Sequence, residues 1–408
     1  CDFSTAPWVT RLATILFMRD PDFKTRIPSE PQHEYEKYEG ADIQEPDSGV
    51  YEGIAILDVR AMYHSNVNKE NISWETLKLD GSFDAEGPRG VLGRTMDRLT
   101  ELRNTYKGRL NAANNPDDKK KWDAAQYATK SLVASLYGVT GDSRFPMYHP
   151  QIAAAITGES RKTLGKLRRL CEENGYPVIY GHTDSVFVKV ESPEVALNLV
   201  EMVNTEMKPI ETEFEKYCER ILLKAKNRYA GKVIWTDGNY HNPEYYIKGI
   251  ESKQARMPQV MKDAMSETIN SILDGHTEGS VSDKVSNLVT KIVNEEMNPE
   301  LLMMKGKLKR DLADYKTIGG SAAGAQWANK NIGKEYRKGD YFWCLIDATG
   351  RYIAFDEVDE IMGRAAIGYR EMAQRFIVKK VEPFYDIAGW NLQPLINALD
   401  GLGGMEWL

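Results

Sequence analysis

Apolar positions follow two different periods along this chain. Between residues 91 and 112, Leu92, Met96, Leu99 and Leu102 recur at three- and four-residue intervals, the spacing that lines one face of a helix. A second helix is expected over about 118–139. The polar NNPDDKKK between the two reads as a hairpin turn, with Pro116 near a helix start. Further helices are expected over 4–18, which has a Ser/Thr start and an apolar face, over about 149–173 and over 192–207. At YGHTDSVFVKV, residues 180–190, the pattern becomes that of strands. Val178 and Ile179 lead in and Val186-Phe187-Val188 leads out, which predicts two strands around a tight turn. YEGIAILDVRAMYHS, residues 51–65, carries an apolar strand from Ile54 to Leu57 that ends at Asp58. Residues 208–236 and 244–250 look like strands broken by a helix. Beyond 258 the chain reads as mostly helical, with long helices over 259–274 and 281–297 and a β-like stretch at 340–357. Residues 19–50, rich in Pro, Asp and Glu, read as a loop or linker, and DGSFDAEGPRG at 80–90 as a turn-rich boundary. The order of elements suggests an α+β fold, a sheet with a helical insertion.

Composition narrows this picture. At 408 residues the chain is long for one core and fits two to four domains. No apolar run approaches the ~18 residues that span a bilayer, and no secretory leader opens the chain. A cytoplasmic protein with no membrane partner is therefore expected. The four cysteines (Cys1, Cys171, Cys218 and Cys344) are scattered without metal-ligand spacing and read as reduced thiols. A net charge of −7 argues against a surface that is basic throughout. It leaves room for a local basic channel, because the local field does the binding.

Three segments carry candidate chemistry. Asp58 ends an apolar strand and Asp184 sits at a hairpin tip beside His182. Neighbouring strand ends in one sheet would bring these carboxylates together, giving an oxygen-rich site that suits Mg²⁺ with substrate phosphates. Each aspartate taken alone reads first as an ordinary turn residue. Arg103 and Lys107, four apart, share a helical face, and Lys130 on the antiparallel partner would join them at a triphosphate. The plain alternative is a solvated face. KAKNRYAGKV, residues 224–233, concentrates cations around Tyr229, as a phosphate-backbone contact or a solubilising segment would.

Taken in order, these segments resemble the motifs of family B DNA polymerases. LDVRAMYHS resembles the first palm motif, DxxSLYPS; KSLVASLYG the fingers motif, KxxxNSxYG; YGHTDS the second palm motif, YGDTDS; and KNRY the K-K-x-Y motif. The linking segments EGADIQEPDSGVYEGI, IETEFEKYCERILLKAKNRYAG and YYIKGIES are also family-like. The resemblance covers residues 38–275 strongly and the remainder weakly. It implies a right-hand architecture: an antiparallel palm sheet over 45–88 and 143–258, helical-hairpin fingers over 89–142 and a mostly helical thumb over 259–408. Residues 1–44 would be the end of an exonuclease domain and a linker.

The resemblance also implies roles. Asp58 and Asp184 would bind two Mg²⁺, with Mn²⁺ as a substitute, helped by the Val59 carbonyl. Tyr63 would lie under the deoxyribose and exclude a 2′-hydroxyl. Arg103, Lys107 and Lys130 would hold the dNTP triphosphate. Tyr137 and Gly138 would floor the nascent base pair, and Lys226, Arg228 and Tyr229 would contact the primer–template duplex.

The chain departs from the pattern at several positions. His182 replaces the first Asp of DTD, removing a negative charge and offering an imidazole that suits Mn²⁺ better than Mg²⁺. Ala134 replaces the fingers Asn. His64 replaces the Pro of SLYPS, Ala61 and Met62 replace its Ser and Leu, and Asn227 replaces a Lys. The expectation is a polymerase that retains activity. The rivals are a DNA-binding structural subunit that lost turnover through His182, and a metal-dependent nuclease. The nuclease does not account for the cations or Tyr63.

The start at Cys1, with about 50 residues before the first palm motif, suggests an N-terminal partner fragment, a truncated form, or a split gene joined through an intein at Cys1. The motif spacing suggests a phage or viral replicase. The apolar LDGLGGMEWL end, with Trp407, suggests a sliding-clamp contact or a frayed tail.

Overall fold

The computed structural model describes residues 8–23, 34–254 and 256–401. The expectations for Cys1 and for the tail with Trp407 lie outside the described residues. The chain divides into two units. The first comprises residues 1–44 and 55–215, the second residues 45–54 and 216–408.

In the first unit, α1 (Trp8–Met18) precedes β1 (Gly49–Val59), whose end bears Asp58. The chain turns at Ala61, held in the left-handed region at φ 46°, and enters α2 (Met62–Glu70), a helix the sequence pattern did not suggest. The expected pair follows as α3 (Val91–Ala112) and α4 (Pro116–Thr140). The Asn115 side chain accepts from the Asp118 N–H at 2.8 Å, Pro116 occupies the first turn, and Asp117 and Asp118 face the positive helix end, so the start of α4 is sharply defined. Next come α5 (Pro150–Glu173), the hairpin β2 (Val178–His182) and β3 (Ser185–Lys189), and α6 (Pro193–Met207). A buried cluster of Phe17, Val67, Leu92, Met96, Leu99, Leu136, Phe145 and Ile156 ties α1 through α5 together. The strands stand in the order β2-β3-β1 with the start of β4 (Thr212–Ala225) beside β1.

The second unit corrects one expectation. No helix breaks residues 208–236. Instead, β4, β5 (Arg228–Thr236) and β6 (Asn239–Lys248) form a continuous antiparallel meander. The Glu- and Lys-rich run over 212–225 has the composition of a helix, but its turns fix it as strand. Asn227 takes φ 59°, and Asp237-Gly238 takes φ 50° and 86°, the two-residue turn that suits a hairpin. The chain continues through α7 (Gln259–Leu273) and α8 (Glu278–Val293), close to the expected long helices. The β-like stretch becomes β8 (Tyr341–Ile346) and β9 (Tyr352–Phe355). A strand absent from the sequence reading, β7 (Met304–Lys307), completes that sheet in the order β7-β8-β9. Cys171, Cys218 and Cys344 are buried thiols outside any disulfide. Among the described residues no helix is long and apolar enough to cross a membrane.

Candidate active site

The site is built where β1, the β2–β3 hairpin and the start of β4 lie side by side. The Val59 N–H donates to the Asp184 carbonyl at 2.8 Å, and the Arg60 N–H donates to the Glu211 carbonyl at 2.9 Å. Asp58 is therefore flanked by the hairpin tip on one side and by β4 on the other. Thr183, at φ 50°, makes the tight tip, and the Asp184 N–H donates back to the His182 carbonyl at 2.6 Å. His182 pairs with Ser185 across the hairpin and bridges Ile43 on its outer side. The Thr183 N–H donates to the Asp42 carbonyl at 3.0 Å, so the segment around 42–44 also fixes this turn.

The electrostatics of Asp58 are unusual. Burial, then the charges of Asp184, Glu215 and Glu213, push its carboxyl up to about 8, with Lys130 opposing them. Asp184 and Lys130, which lie far from Asp58 in sequence, thus both act on it. Glu213 and Glu215 were missed. The signal was present in IETEFEK: Glu211, Glu213 and Glu215 alternate with buried Thr212 and Phe214, which puts the three glutamates on one face of a strand. Arg60 pairs with Glu211 at 2.8 Å and with Glu213 at 3.1 Å.

The donor set is hard carboxylate oxygen, with the His182 imidazole near it. Among the described residues no group of three or more His, Cys, Asp or Glu could hold a metal ion. The oxygen donors gathered here are the Asp58 and Asp184 carboxylates and the main-chain carbonyls beside them. That composition fits Mg²⁺, which keeps waters and takes substrate phosphate oxygens. The crowding of negative charge on Asp58 is what a divalent cation relieves.

Above this floor, the Tyr63 and Tyr137 rings stack with centroids 4.4 Å apart and planes 27° from parallel. Burial and the nearby Asp184 charge raise the Tyr63 hydroxyl above its ordinary value. Burial and a hydrogen bond with Tyr38 raise that of Tyr137. Tyr38, which the sequence reading did not single out, lies against Gly141; a Cβ there would meet its hydroxyl at 2.2 Å. Arg103 and Lys107 lie on α3 and Lys130 on α4, with Lys107 and Lys130 exposed. The Arg103 Nε is buried without a hydrogen bond. Gly138 is exposed, with open space where a side chain would stand.

The KNRY segment belongs to the second unit. Lys226 pairs with Glu45 at 3.4 Å, and Arg228 is exposed. Tyr229 is only 3% exposed, its ring set against Tyr246 with the Lys248 ammonium 5.7 Å from its centroid.

The profile of DNA polymerase family B matches residues 83–360, a span that contains His182, Asp184 and the cationic helices and begins after Asp58 and Tyr63. DNA polymerase 1 of Pyrococcus abyssi is 27% identical over 328 residues, covering 73% of this chain and 41% of that protein. The DNA polymerase of Archaeoglobus fulgidus is 31% identical over 254 residues, covering 59% and 31%. The DNA polymerase delta catalytic subunit of Dictyostelium discoideum is 31% identical over 251 residues, covering 53% and 23%. The chain thus spans less than half the length of these relatives.

Proposed function

Because the chain belongs to DNA polymerase family B, we propose that it carries the nucleotidyl-transfer site of a template-directed DNA polymerase. Its substrates are a primed DNA template and dNTPs. The palm is assigned to 45–88 and 143–258, the fingers to 89–142 and the thumb to 259–408. The observation that carries this reading is the field at Asp58: Asp184 presses on it from the neighbouring hairpin tip, Glu213 and Glu215 from β4, and one lysine of the helical pair opposes them. That is the charge pattern of a site that gathers a divalent cation on one side and a polyphosphate on the other.

In this reading Asp58 and Asp184, with the Val59 carbonyl, hold two Mg²⁺ ions. When bound, these supply charge neutralisation and a more acidic primer hydroxyl. The chain's own residues do the rest. Lys130, Arg103 and Lys107 bind the triphosphate. The Arg103 Nε, buried with no acceptor, is a donor suited to a phosphate oxygen. Tyr63, backed by Tyr137, lies beneath the sugar and leaves no room for a 2′-hydroxyl. Gly138 lets the nascent base pair approach the backbone. Lys226 and Arg228 contact duplex phosphates, while the buried Tyr229 stiffens the strand that presents them. Positioning aligns the primer 3′-hydroxyl with the α-phosphate, to which it bonds as pyrophosphate leaves.

The test is primer extension with Mg²⁺ and Mn²⁺ in parallel, comparing the parent chain with Asp184→Ala and His182→Asp. Extension by the parent, abolished in Asp184→Ala, supports the reading and makes His182 a tuning residue. Silence from the parent with recovery in His182→Asp supports instead a DNA-binding subunit that the histidine has switched off. Silence from all three rejects the polymerase reading for this chain.

A further inference from the structure

We infer that His64 is a positioning residue for the nucleotide sugar site, locking the helix that carries Tyr63 to the first long helix through Asp97. The inference rests on the polymerase reading above.

Tyr63 and His64 are neighbours in the first turn of α2, so their side chains leave the helix about 100° apart. One faces α4, where Tyr63 stacks on Tyr137. The other faces α3: His64 Nε2 lies 2.7 Å from Asp97 Oδ1, and His64 Nδ1 lies 3.4 Å from the Thr100 hydroxyl. That hydroxyl already donates to the Met96 carbonyl at 2.8 Å. Asn68, one turn further along α2, donates to the same Asp97 oxygen at 2.8 Å. Arg89 takes the other Asp97 oxygen at 3.1 Å and reaches the Asn68 carbonyl at 3.3 Å. Gly93 makes the approach possible, since a Cβ there would stand 3.0 Å from Arg89 Nε and 3.1 Å from Asn68 Oδ1.

The lock is well placed for its task. The His64 side chain is 12% exposed and that of Asp97 38%, so this contact is shielded from solvent far more than a surface ion pair. Burial raises the Asp97 carboxyl, but the hydrogen bonds from Asn68 and His64 and the Arg89 charge outweigh it and hold the group below its ordinary range. An imidazole tied to a neighbouring helix fixes the rotation of α2 about its axis, and Tyr63 turns with that axis. A separate tie keeps α2 folded without the lock: Asn66 bonds Ser160 at 3.2 Å and Thr163 at 2.8 Å, both on α5. His64 therefore governs where the Tyr63 ring sits more than whether α2 forms.

The test is steady-state primer extension with a dNTP and the matching rNTP, for the parent, His64→Ala, Asp97→Ala, the double variant and His64→Gln, each with a melting curve. The expected result is a dNTP-over-rNTP kcat/KM ratio reduced roughly 5–10-fold in each alanine variant, no further reduction in the double variant, and recovery to within about 2-fold in His64→Gln, whose amide still donates to Asp97. The loss should lie in discrimination, with kcat for the dNTP little changed. Asp97→Ala, at the more exposed end of the lock, carries the test should His64→Ala fail to fold. An unchanged ratio, or a fall for both nucleotides that tracks melting temperature, overturns the inference and leaves the polymerase reading standing. A parent chain that extends no primer overturns both.

Discussion

The Val59 N–H donates to the Asp184 carbonyl at 2.8 Å, so main chain joins the strand end bearing Asp58 to the hairpin tip bearing Asp184. The two carboxylates are held close by a ladder that is indifferent to their charge. Their repulsion is thus a property of the fold, available to be relieved by a cation.

The first consequence is a pH dependence of stability. The Asp58 carboxyl is pushed from the ordinary 3.8 up to about 8 by burial and its acidic neighbours. Between these values the folded chain holds a proton that the unfolded chain has released, so stability falls as pH rises through that window. In chelator, the parent melting temperature should decline from pH 5 to pH 8. Asp58→Asn should flatten the slope and melt a few degrees higher at pH 8, at ~2–4 °C per kcal/mol relieved. Mg²⁺ should raise the parent's melting temperature more at pH 8 than at pH 5. Identical slopes for parent and variant would refute the field described for Asp58.

Replacing His182 by Asp adds a carboxylate to the same turn. The half-saturating Mg²⁺ concentration for extension should fall several-fold, roughly 3–10-fold, because each added anionic ligand favours a hard cation. The cation-free variant should melt below the parent at pH 8. A magnesium titration of extension read beside a melting curve checks both, and an unchanged half-saturation point would show that position 182 lies outside the cation's reach.

Lys130 opposes the acidic cluster and, in the proposed mechanism, meets the triphosphate. Lys130→Ala should raise the dNTP KM by about 10-fold or more, with Lys130→Arg retaining most of the binding. It should also steepen the decline of cation-free stability with pH, since the charge that lowers Asp58 is gone. Equal KM values for Lys130→Ala and the parent would remove the lysine from the substrate site.

Asp20 anchors the base of α3. Its side chain is 3% exposed and meets Arg94 at 2.8 Å and Arg98 at 3.3 Å. Burial raises its carboxyl, but the Arg94 hydrogen bond, the Asp22 N–H and the two guanidinium charges more than offset this and hold it below the ordinary 3.8. Its contribution is therefore complete above 3.8 and lost as pH falls through the lowered value. Asp20→Ala should destabilise the first unit by about 3 kcal/mol in urea unfolding at pH 7, with a smaller deficit against the parent under acid. A loss below ~1 kcal/mol would class this contact with ordinary surface pairs.

Local order was largely legible in the sequence. The helices over 91–112 and 116–140 and the hairpin at 178–189 lie close to the expected bounds, because their signals are local: apolar spacing, the Asn115-Pro116 start, and a tight turn between apolar strands. Asp58 and Asp184 stood out as candidates for the same reason, each at the end of a recognisable strand.

What the sequence by itself determined is thus the set of elements with strong local signals, and the residues chemically able to act. The tertiary structure decided the rest. It made 212–248 one continuous sheet where the sequence pattern placed strands broken by a helix, since strand partners and left-handed turns outweigh the helix propensity of Glu and Lys. It set α2 after a left-handed Ala61, which no spacing announces. It brought Glu213 and Glu215 onto Asp58, Tyr38 onto Tyr137 and His64 onto Asp97. Each of these pairs is separated by 33 to 157 residues of chain. Such contacts form only when strands register and helices pack, and the free energy that selects them comes from burial across the whole unit, beyond the reach of any local window.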